Sequence, residues 1–352
     1  MPQSTFRRRT LLQGLGAASL LSACSAPFTG SNRSSVEFSG LTMGSHYRVK
    51  LAGRGLGDAA QRAAAEAVAV AFARVDLAMS THRPHSELSR FNAHAQASPF
   101  ALSADTLAVF GLAQQASAAT QGAFDVTVGP LVDAWGFGPG RRERVPHAGE
   151  RQVLEQGVGW RQLQVDAAAG TVRKAHARVR ADLSGIAKGY GVDRAAQALE
   201  ELGIEHYLID AGGEVRTRGH NAHGAPWQVA IEQPVPGPRI PRYVVPLSGQ
   251  AIATSGDYRI FFERDGQRYS HEIDPTTGRP IDGRLASVSV VASTGAWADA
   301  LGKLIVLGPE RGYACAVERG IAAHFIVREA DGRLHDVATP AFAALGGRPY
   351  RA

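Results

Sequence analysis

The stretch VEFSGLTMGSHYRVKLAG at residues 36–53 decides the fold, because its pattern predicts two short strands in succession. An Ala-rich segment follows at residues 58–79. Its larger apolar residues recur broadly on one side of a helix, and these are Val68, Phe72, Val75 and Leu77. A strand pair followed by a helix indicates a chain in which sheets and helices are mixed.

The rest of the chain keeps this mixture of helices and strands. Further helices are predicted at 102–121, 188–202, 298–306 and 310–320. A hairpin is predicted at 163–181, and strands at 206–209, 227–232, 242–247, 269–273 and 286–292. Adjacent strands joined by short turns pair antiparallel. We therefore expect an α+β fold, with mixed, largely antiparallel sheets packed with helices in two lobes, and not a doubly wound parallel sheet.

The N-terminus has the pattern of an export signal. The sequence FRRRTLLQ at residues 6–13 precedes an apolar run at 14–23, which is too short for the roughly 20 residues of a membrane span. Arg8 and Arg9, followed by Thr10, resemble the twin-arginine pattern, and LSAC resembles a lipobox ending at Cys24. A general secretory signal with a chance cysteine is the alternative.

These motifs divide the chain into three parts. Residues 1–23 are expected to be a twin-arginine-type lipoprotein signal peptide, and residues 24–35 a lipidated Cys24 with a flexible tether. Residues 36–352 are expected to form the catalytic region. The protein would then be anchored by lipid on the periplasmic side of a bacterial membrane.

Composition excludes some classes of protein. If Cys24 carries lipid, Cys315 is left alone and no disulfide can form. The formal charge of +6 falls to +3 once Arg7, Arg8 and Arg9 are cleaved off. The mature chain also lacks a basic cluster interleaved with aromatic residues, so nucleic acid is not an expected partner.

The sequence ADLSGIAKGYGVD at residues 181–193 has features of a phosphate-binding segment. Its glycines and Ser184 precede a helix predicted to open at Lys188. Glycines let a ligand approach the backbone, a helix N-terminus presents unpaired N–H groups, and a lysine supplies positive charge. The alternative interpretation is an ordinary strand-to-helix turn with a surface lysine.

Two later segments carry candidate general bases. YSHEIDPTTGRP at residues 269–280 places His271 on a predicted strand, and ATSGDYR at residues 253–259 contains Asp257. A hydroxyl that attacks a phosphate group needs a base within hydrogen-bond reach, and either residue could serve. IDAGGEVRTRG at residues 209–219 adds paired glycines, against which a bulky ligand could lie. Their alternatives are a structural histidine and a simple bulge or hairpin turn.

The segment AWADALGK offers a candidate metal ligand. Asp299 is a carboxylate with apolar neighbours, and phosphate chemistry usually needs a hard cation such as Mg²⁺ held by oxygen ligands. The alternative is an i,i+4 ion pair between Asp299 and Lys303 on the same helix.

Together these segments resemble the family of FAD:protein FMN transferases, long known as thiamine-biosynthesis lipoproteins. The resemblance runs from about Phe38 to Gly308. The matching stretches occur in the family's order: TMGSHYRV from Thr42, MSTHRPHSELSRFN from Met79, GAFDVTVGPLVDAWGFGP from Gly122, DLSGIAKGYGVD from Asp182, AGGEVRTRG from Ala211, TSGDYR from Thr254 and SHEIDPTTGRP from Ser270.

The resemblance implies a set of site residues. It implies FAD contacts at Met43, His82, Ala123, Phe124, Asp125, Asp182, Lys188 and the 271–273 segment with Ile273, and it makes His271 the first candidate catalytic residue. It also implies Mg²⁺ held by the Gly185 carbonyl, Asp299 and a threonine. This chain has Lys303 in place of the threonine. Unit charges 4 Å apart repel by about 4 kcal/mol at an effective dielectric of 20, and a divalent ion more. Lys303 must therefore turn away, or metal use differs.

The function implied is transfer of FMN from FAD to a Thr or Ser hydroxyl of an acceptor protein, with AMP leaving and the flavin bound between the lobes. The family's acceptor sites follow D-x-x-[ST]-G-A-[ST], and membrane-linked electron-transfer subunits are the implied acceptors. The alternatives are a lipoprotein that only binds FAD, an FAD pyrophosphatase in which water replaces the hydroxyl, and a solute-binding lipoprotein without flavin.

Overall fold

A computed structural model describes residues 34–140 and 142–351. The predicted signal peptide, Cys24 and the tether as far as residue 33 lie outside the described residues. The first strand begins at Ser34, slightly before the predicted start of the fold at residue 36. The chain from Arg33 to Ala352 forms one compact unit, so the two expected lobes are parts of a single body.

The strands are numbered in chain order. They are β1 Ser34–Thr42, β2 Ser45–Gly53, β3 Phe100–Ala101, β4 Leu163–Asp166, β5 Thr171–Lys174, β6 Tyr207–Ala211, β7 Glu214–Arg218, β8 Trp227–Glu232, β9 Pro241–Leu247, β10 Ala251–Gly256, β11 Phe261–Arg264, β12 Gln267–Ser270, β13 Ile273–Asp274, β14 Arg279–Pro280, β15 Leu285–Ala292, β16 Ala322–Arg328, β17 Leu334–Ala338 and β18 Arg348–Pro349.

The helices are numbered in the same way. They are α1 Asp58–Met79, α2 Glu87–Ala93, α3 Ala104–Ala119, α4 Gly129–Ala134, α5 Ala148–Glu155, α6 Ser184–Glu201, α7 Gly295–Leu301, α8 Gly308–Glu318 and α9 Pro340–Ala343, with 3₁₀ segments at Trp160–Gln162 and Gly302–Leu307. None of the helices in the described ranges has the length and hydropathy that a membrane span requires.

The sheets confirm the predicted α+β class. The largest has eight strands in the order β1-β2-β6-β7-β10-β15-β16-β17, and each neighbouring pair is antiparallel. Two smaller sheets, β18-β9-β8 and β3-β5-β4, are also antiparallel. Between neighbouring strands of the large sheet the chain makes four long excursions. They carry α1 to α6 with β3 to β5 between β2 and β6, β8 and β9 between β7 and β10, β11 to β14 between β10 and β15, and α7 and α8 between β15 and β16.

Helix α1 covers one face of the large sheet together with α6. Its buried side chains recur at helical spacing, and they are Ala64, Val68, Ala71, Phe72, Val75 and Met79. The first four pack with residues of β2 and β6, whereas Val75 and Met79 pack in a second cluster with residues of α2 and α3. Leu77 was predicted on this face, but its side chain is 57% exposed. Leu77 follows Val75 by two residues, which corresponds to a rotation of about 200° around the helix axis. Leu77 therefore faces away from the core.

Two other sequence predictions were wrong in detail, one at the start of α6 and one around His271. Helix α6 begins at Ser184, one turn before Lys188, and the Ser184 N–H donates to Asp182 Oδ1 at 2.8 Å. The predicted strand at 269–273 is divided, because β12 ends at Ser270 and β13 begins at Ile273. His271 therefore lies between two strands, where its N–H donates to the Ile260 carbonyl at 3.1 Å.

Helices α6 and α7 cross in direct backbone contact. A Cβ added to Gly189 would lie 2.2 Å from the Gly295 carbonyl oxygen, and a Cβ on Gly295 would lie 2.4 Å from that of Gly189. The carboxylate of Asp193, on α6, accepts the N–H groups of Gly295 and Ala296 at 2.7 and 2.9 Å. The glycines of this segment, which the sequence suggested for phosphate binding, thus also allow close helix packing.

We predict that Gly189→Ala destabilises the protein by at least about 2 kcal/mol, because the new Cβ would overlap a backbone oxygen that cannot move alone. The matched control is Gly111→Ala on α3, where a Cβ meets nothing within 4 Å. Helix propensity favours alanine there by up to about 1 kcal/mol. Denaturant unfolding measures both variants, and equal stabilities would contradict the close crossing.

Candidate active site

A cleft of about 850 Å³ gathers residues from distant parts of the chain. Its walls come from the β1–β2 turn, the loop after α1, the start of α6, β7, β10, the segment around His271 and the α7 region. The volume suits a small-molecule ligand. Among the residues suggested by the sequence, it brings together Met43, His82, Asp182, Gly185, Lys188, His271 and Asp299.

Other suggested residues lie outside the lining of this cleft. Ala123, Phe124 and Ile273 are buried in the core. Asp125 is buried as well, and it accepts hydrogen bonds from the Thr127 N–H at 2.8 Å and the Trp160 N–H at 2.8 Å. Asp125 therefore ties its own turn to a second loop. The FAD contacts expected of these four residues stay predictions.

Asp257, the second candidate base, is not part of the cleft lining, although its chain neighbours Gly256 and Tyr258 are. Its carboxylate is 1% exposed and forms a two-point ion pair with Arg328, at 2.8 Å to Oδ2 and 3.0 Å to Oδ1. Both residues line a separate cleft of about 810 Å³. Both oxygens of this carboxylate are held by one guanidinium, so the geometry favours a structural role for Asp257.

His271 has the geometry of a general base. Its Nδ1 lies 3.2 Å from the Ile260 carbonyl oxygen, and a carbonyl can only accept, so Nδ1 carries the proton. Nε2 is then free to accept one, and it lies 3.6 Å from Glu272 Oε1. Burial lowers the pKa of His271 below its ordinary value, so the ring is neutral near pH 7.

Glu272 connects this histidine to a lysine. Its Oε2 accepts from the Lys303 ammonium at 2.6 Å, while Oε1 faces His271. The Glu272 side chain is 3% exposed and that of Lys303 is 23% exposed. Burial opposes ionisation, but the Lys303 ammonium outweighs it and holds the pKa of Glu272 below its usual range. One buried carboxylate thus positions both a base and a cation.

Lys188 forms a second ion pair at the cleft, with the buried carboxylate of Glu214. Burial would lower the pKa of Lys188, but Glu214 and Asp299 outweigh it and raise that pKa. Burial raises the pKa of Glu214 to about 7, and the neighbouring Asp299 adds to the effect. Glu214 Oε2 has no hydrogen-bond partner, so this carboxylate has capacity for one more donor.

Asp299 lies beneath the start of α6. It is 6% exposed, and its Oδ2 accepts from the Gly189 N–H at 3.0 Å. Burial raises the pKa of its carboxyl. The i,i+4 ion pair considered for Asp299 and Lys303 gives way to the bond between Lys303 and Glu272, because the helix tightens into a 3₁₀ segment at Gly302.

Sequence analysis missed the importance of Glu214 and Glu272. Each follows a residue that was singled out, since Glu214 follows paired glycines and Glu272 follows His271. That adjacency was the available signal. Nothing local indicated that both carboxylates are buried and face lysines more than 25 residues away in the chain.

Known proteins match this chain over most of its length. The family model described as the ApbE family matches residues 43–325. An FAD:protein FMN transferase from Vibrio cholerae is 42% identical over 327 residues, covering 92% of this chain and 95% of the relative. The corresponding Haemophilus influenzae protein is 41% identical over 303 residues, covering 84% and 88%.

Solved structures agree with the sequence relatives. The flavin transferase ApbE from Vibrio cholerae superposes with a TM-score of 0.81 at 41% identity, covering 89% of this chain and 99% of that one. The apo flavinyl transferase ApbE from Pseudomonas stutzeri has a TM-score of 0.80 at 40% identity, covering 89% and 97%.

We predict that Asp257→Asn costs about 2 kcal/mol of unfolding free energy, because it leaves the Arg328 guanidinium without its anionic partner. Affinity for a ligand of the main cleft should change by less than about twofold. Denaturant unfolding and fluorescence titration with FAD measure the two effects. Arg328→Gln should cost a similar amount, and the double variant less than their sum. Intact stability with lost activity would instead indicate that Asp257 acts in the reaction.

Proposed function

The chain belongs to the ApbE family, and from this premise we propose that it transfers FMN from FAD to a Thr or Ser hydroxyl of an acceptor protein and releases AMP. The relatives reported above are FAD:protein FMN transferases and flavin transferases. The protein is accordingly a transferase that uses FAD as its flavin donor and a protein as its acceptor.

The observation that carries this proposal is one cleft containing a neutral histidine and two lysine ammonium groups. His271 Nε2 is available to accept a proton. Lys188 and Lys303 line the same cleft, each held by a buried glutamate. A base beside fixed positive charge is what the attack of a hydroxyl on a phosphoanhydride requires.

The reaction proceeds as follows in this proposal. The acceptor hydroxyl gives its proton to His271 Nε2 while its oxygen forms a bond to the phosphorus of the FMN half of FAD. The bridging bond of the pyrophosphate breaks, and AMP leaves with the electron pair. Glu272, 3.6 Å from Nε2, stabilises the imidazolium that forms. Lys188 supplies positive charge to the phosphate oxygens, with Glu214 orienting its ammonium.

The resemblance also implies Mg²⁺, and the residues present do not fit it. Mg²⁺ prefers near-octahedral oxygen ligands. Of the donors expected, Asp299 and Gly185 line the cleft, whereas the third is replaced by Lys303, whose ammonium bonds Glu272 and cannot ligate a cation. Within residues 34–140 and 142–351, no group of three or more His, Cys, Asp or Glu side chains is arranged to hold a metal ion. No step of the reaction above is therefore derived through a metal.

We also propose how the enzyme reaches its acceptor. The twin-arginine pattern and the LSAC lipobox support export and a lipid anchor at Cys24, on the periplasmic side of the membrane. The acceptor in this proposal is a membrane-linked electron-transfer subunit. An enzyme anchored beside such a subunit acts at a raised effective concentration of its acceptor.

We predict that His271→Ala lowers the rate of FMN transfer by roughly 10²- to 10⁴-fold while FAD binding changes little, because the variant removes the base and leaves the lysines. The matched control is His147→Ala, an exposed histidine outside the cleft. The assay combines the mature chain, FAD and an acceptor domain carrying D-x-x-[ST]-G-A-[ST], and it reads covalent flavin as fluorescence in a denaturing gel.

AMP release is measured in the same reactions. If AMP is released but none of several acceptors becomes fluorescent, the reaction is hydrolysis of FAD and not transfer of FMN. FAD binding without either product would support a protein that only binds the flavin.

A further inference from the structure

The side chain of Lys303 lies beside the residues expected to hold a metal ion. A Cβ on Gly185 would lie 3.2 Å from Lys303 Cε, so the lysine stem lies against the turn whose carbonyl was the expected ligand. Asp299, the other expected ligand, lies within the electrostatic reach of the same ammonium. A dication held by Gly185 and Asp299 would therefore lie near this ammonium.

The local backbone directs the side chain of Lys303 toward Glu272. Helix α7 ends at Leu301, and the 3₁₀ segment from Gly302 tightens the chain. Gly302 packs against β10 so closely that a Cβ there would lie 2.7 Å from Ser255 Oγ. The ammonium then reaches Glu272 Oε2 at 2.6 Å, and both side chains are largely buried. A short, buried, charge-assisted bond of this kind restricts the lysine more than an exposed pair would.

The charges of the cleft also disfavour the binding of a dication. Three carboxylates of the lining are buried, those of Glu214, Glu272 and Asp299, beside the less buried Asp76 and Asp182. Lys188 alone would leave two of the three buried carboxylates unbalanced. Lys303 balances Glu272 and so supplies part of the positive charge that a dication would bring. Adding Mg²⁺ beside a fixed ammonium would be opposed by Coulomb repulsion in a partly buried site.

Building on the function proposed above, we propose that the Lys303 ammonium neutralises the pyrophosphate of FAD in place of a divalent cation, so that this enzyme transfers FMN without a metal. Lys303 takes no part in making or breaking bonds. The bonds made and broken are those given above, with the proton passing to His271 and the electron pair leaving with AMP. Glu272 couples the two groups, because one oxygen holds the ammonium and the other faces the histidine.

The first test measures transfer with and without metal. The mature wild-type chain is assayed with FAD and acceptor in excess EDTA and again in Mg²⁺, and we expect the two rates to agree within about twofold. Lys303→Thr, which restores a hydroxyl ligand, should be slow in EDTA and recover at least about tenfold in Mg²⁺. Lys303→Met should lose roughly 10²-fold in both conditions. Lys50→Met is the control, since Lys50 is a half-exposed lysine on β2 outside the cleft.

The second test does not depend on turnover. Mn²⁺ is titrated into the wild-type protein with FAD, and bound metal is measured by electron paramagnetic resonance against FAD alone. We expect no protein-bound Mn²⁺ for the wild type and bound Mn²⁺ for Lys303→Thr. Wild-type transfer that stops in EDTA and returns with Mg²⁺, or tight Mn²⁺ binding by the wild type, would overturn the inference. A chain that transfers no FMN in any condition contradicts the proposed function instead, and the resonance measurement still decides the metal question.

Discussion

The contact between Gly189 and Gly295 is the constraint on which the site depends. Because neither residue has a side chain, the backbones of α6 and α7 touch, and Asp193 caps the start of α7 across the gap. This crossing places Asp299 against the Gly189 N–H. It also directs the 3₁₀ segment that follows α7 toward the start of α6. A larger residue at either glycine would separate the helices and move the cations of the cleft away from the base.

Glu272 lies between a cation, Lys303, and a candidate base, His271. This carboxylate is almost fully buried, which is costly unless both oxygens are paired. Lys303 pairs with one of them, while the other faces His271 Nε2 at 3.6 Å and gains a donor there only when the histidine takes up a proton. Glu214 likewise keeps one oxygen without a partner. Burial of Glu214 beside Asp299 raises the pKa of both carboxyl groups. Lys188 and Lys303 are each held by a buried carboxylate, so both lysines are already oriented at the cleft.

Local patterns predicted most of the fold correctly. The strands at residues 36–53, helix α1 and strand β8 appear where the sequence indicated, because each has a clear period and clear ends. Errors arose where contacts with distant parts of the chain outweigh local preference. The strand expected through His271 is divided, because Ser270 is the last residue paired with β11 and Ile273 pairs instead with Pro280 of β14. Leu77 was assigned to the core although it lies on the far side of α1.

The sequence by itself determined the α+β class, the family motifs and the candidates His271, Lys188 and Asp299, because these depend on residue types and short spacings. It also showed that Lys303 stands where a hydroxyl was expected. Only the tertiary structure decided what these residues do. It paired Asp257 with Arg328, and it turned Lys303 toward Glu272. Such pairings join residues far apart in the chain, and burial sets their strength, so no local pattern could have specified them.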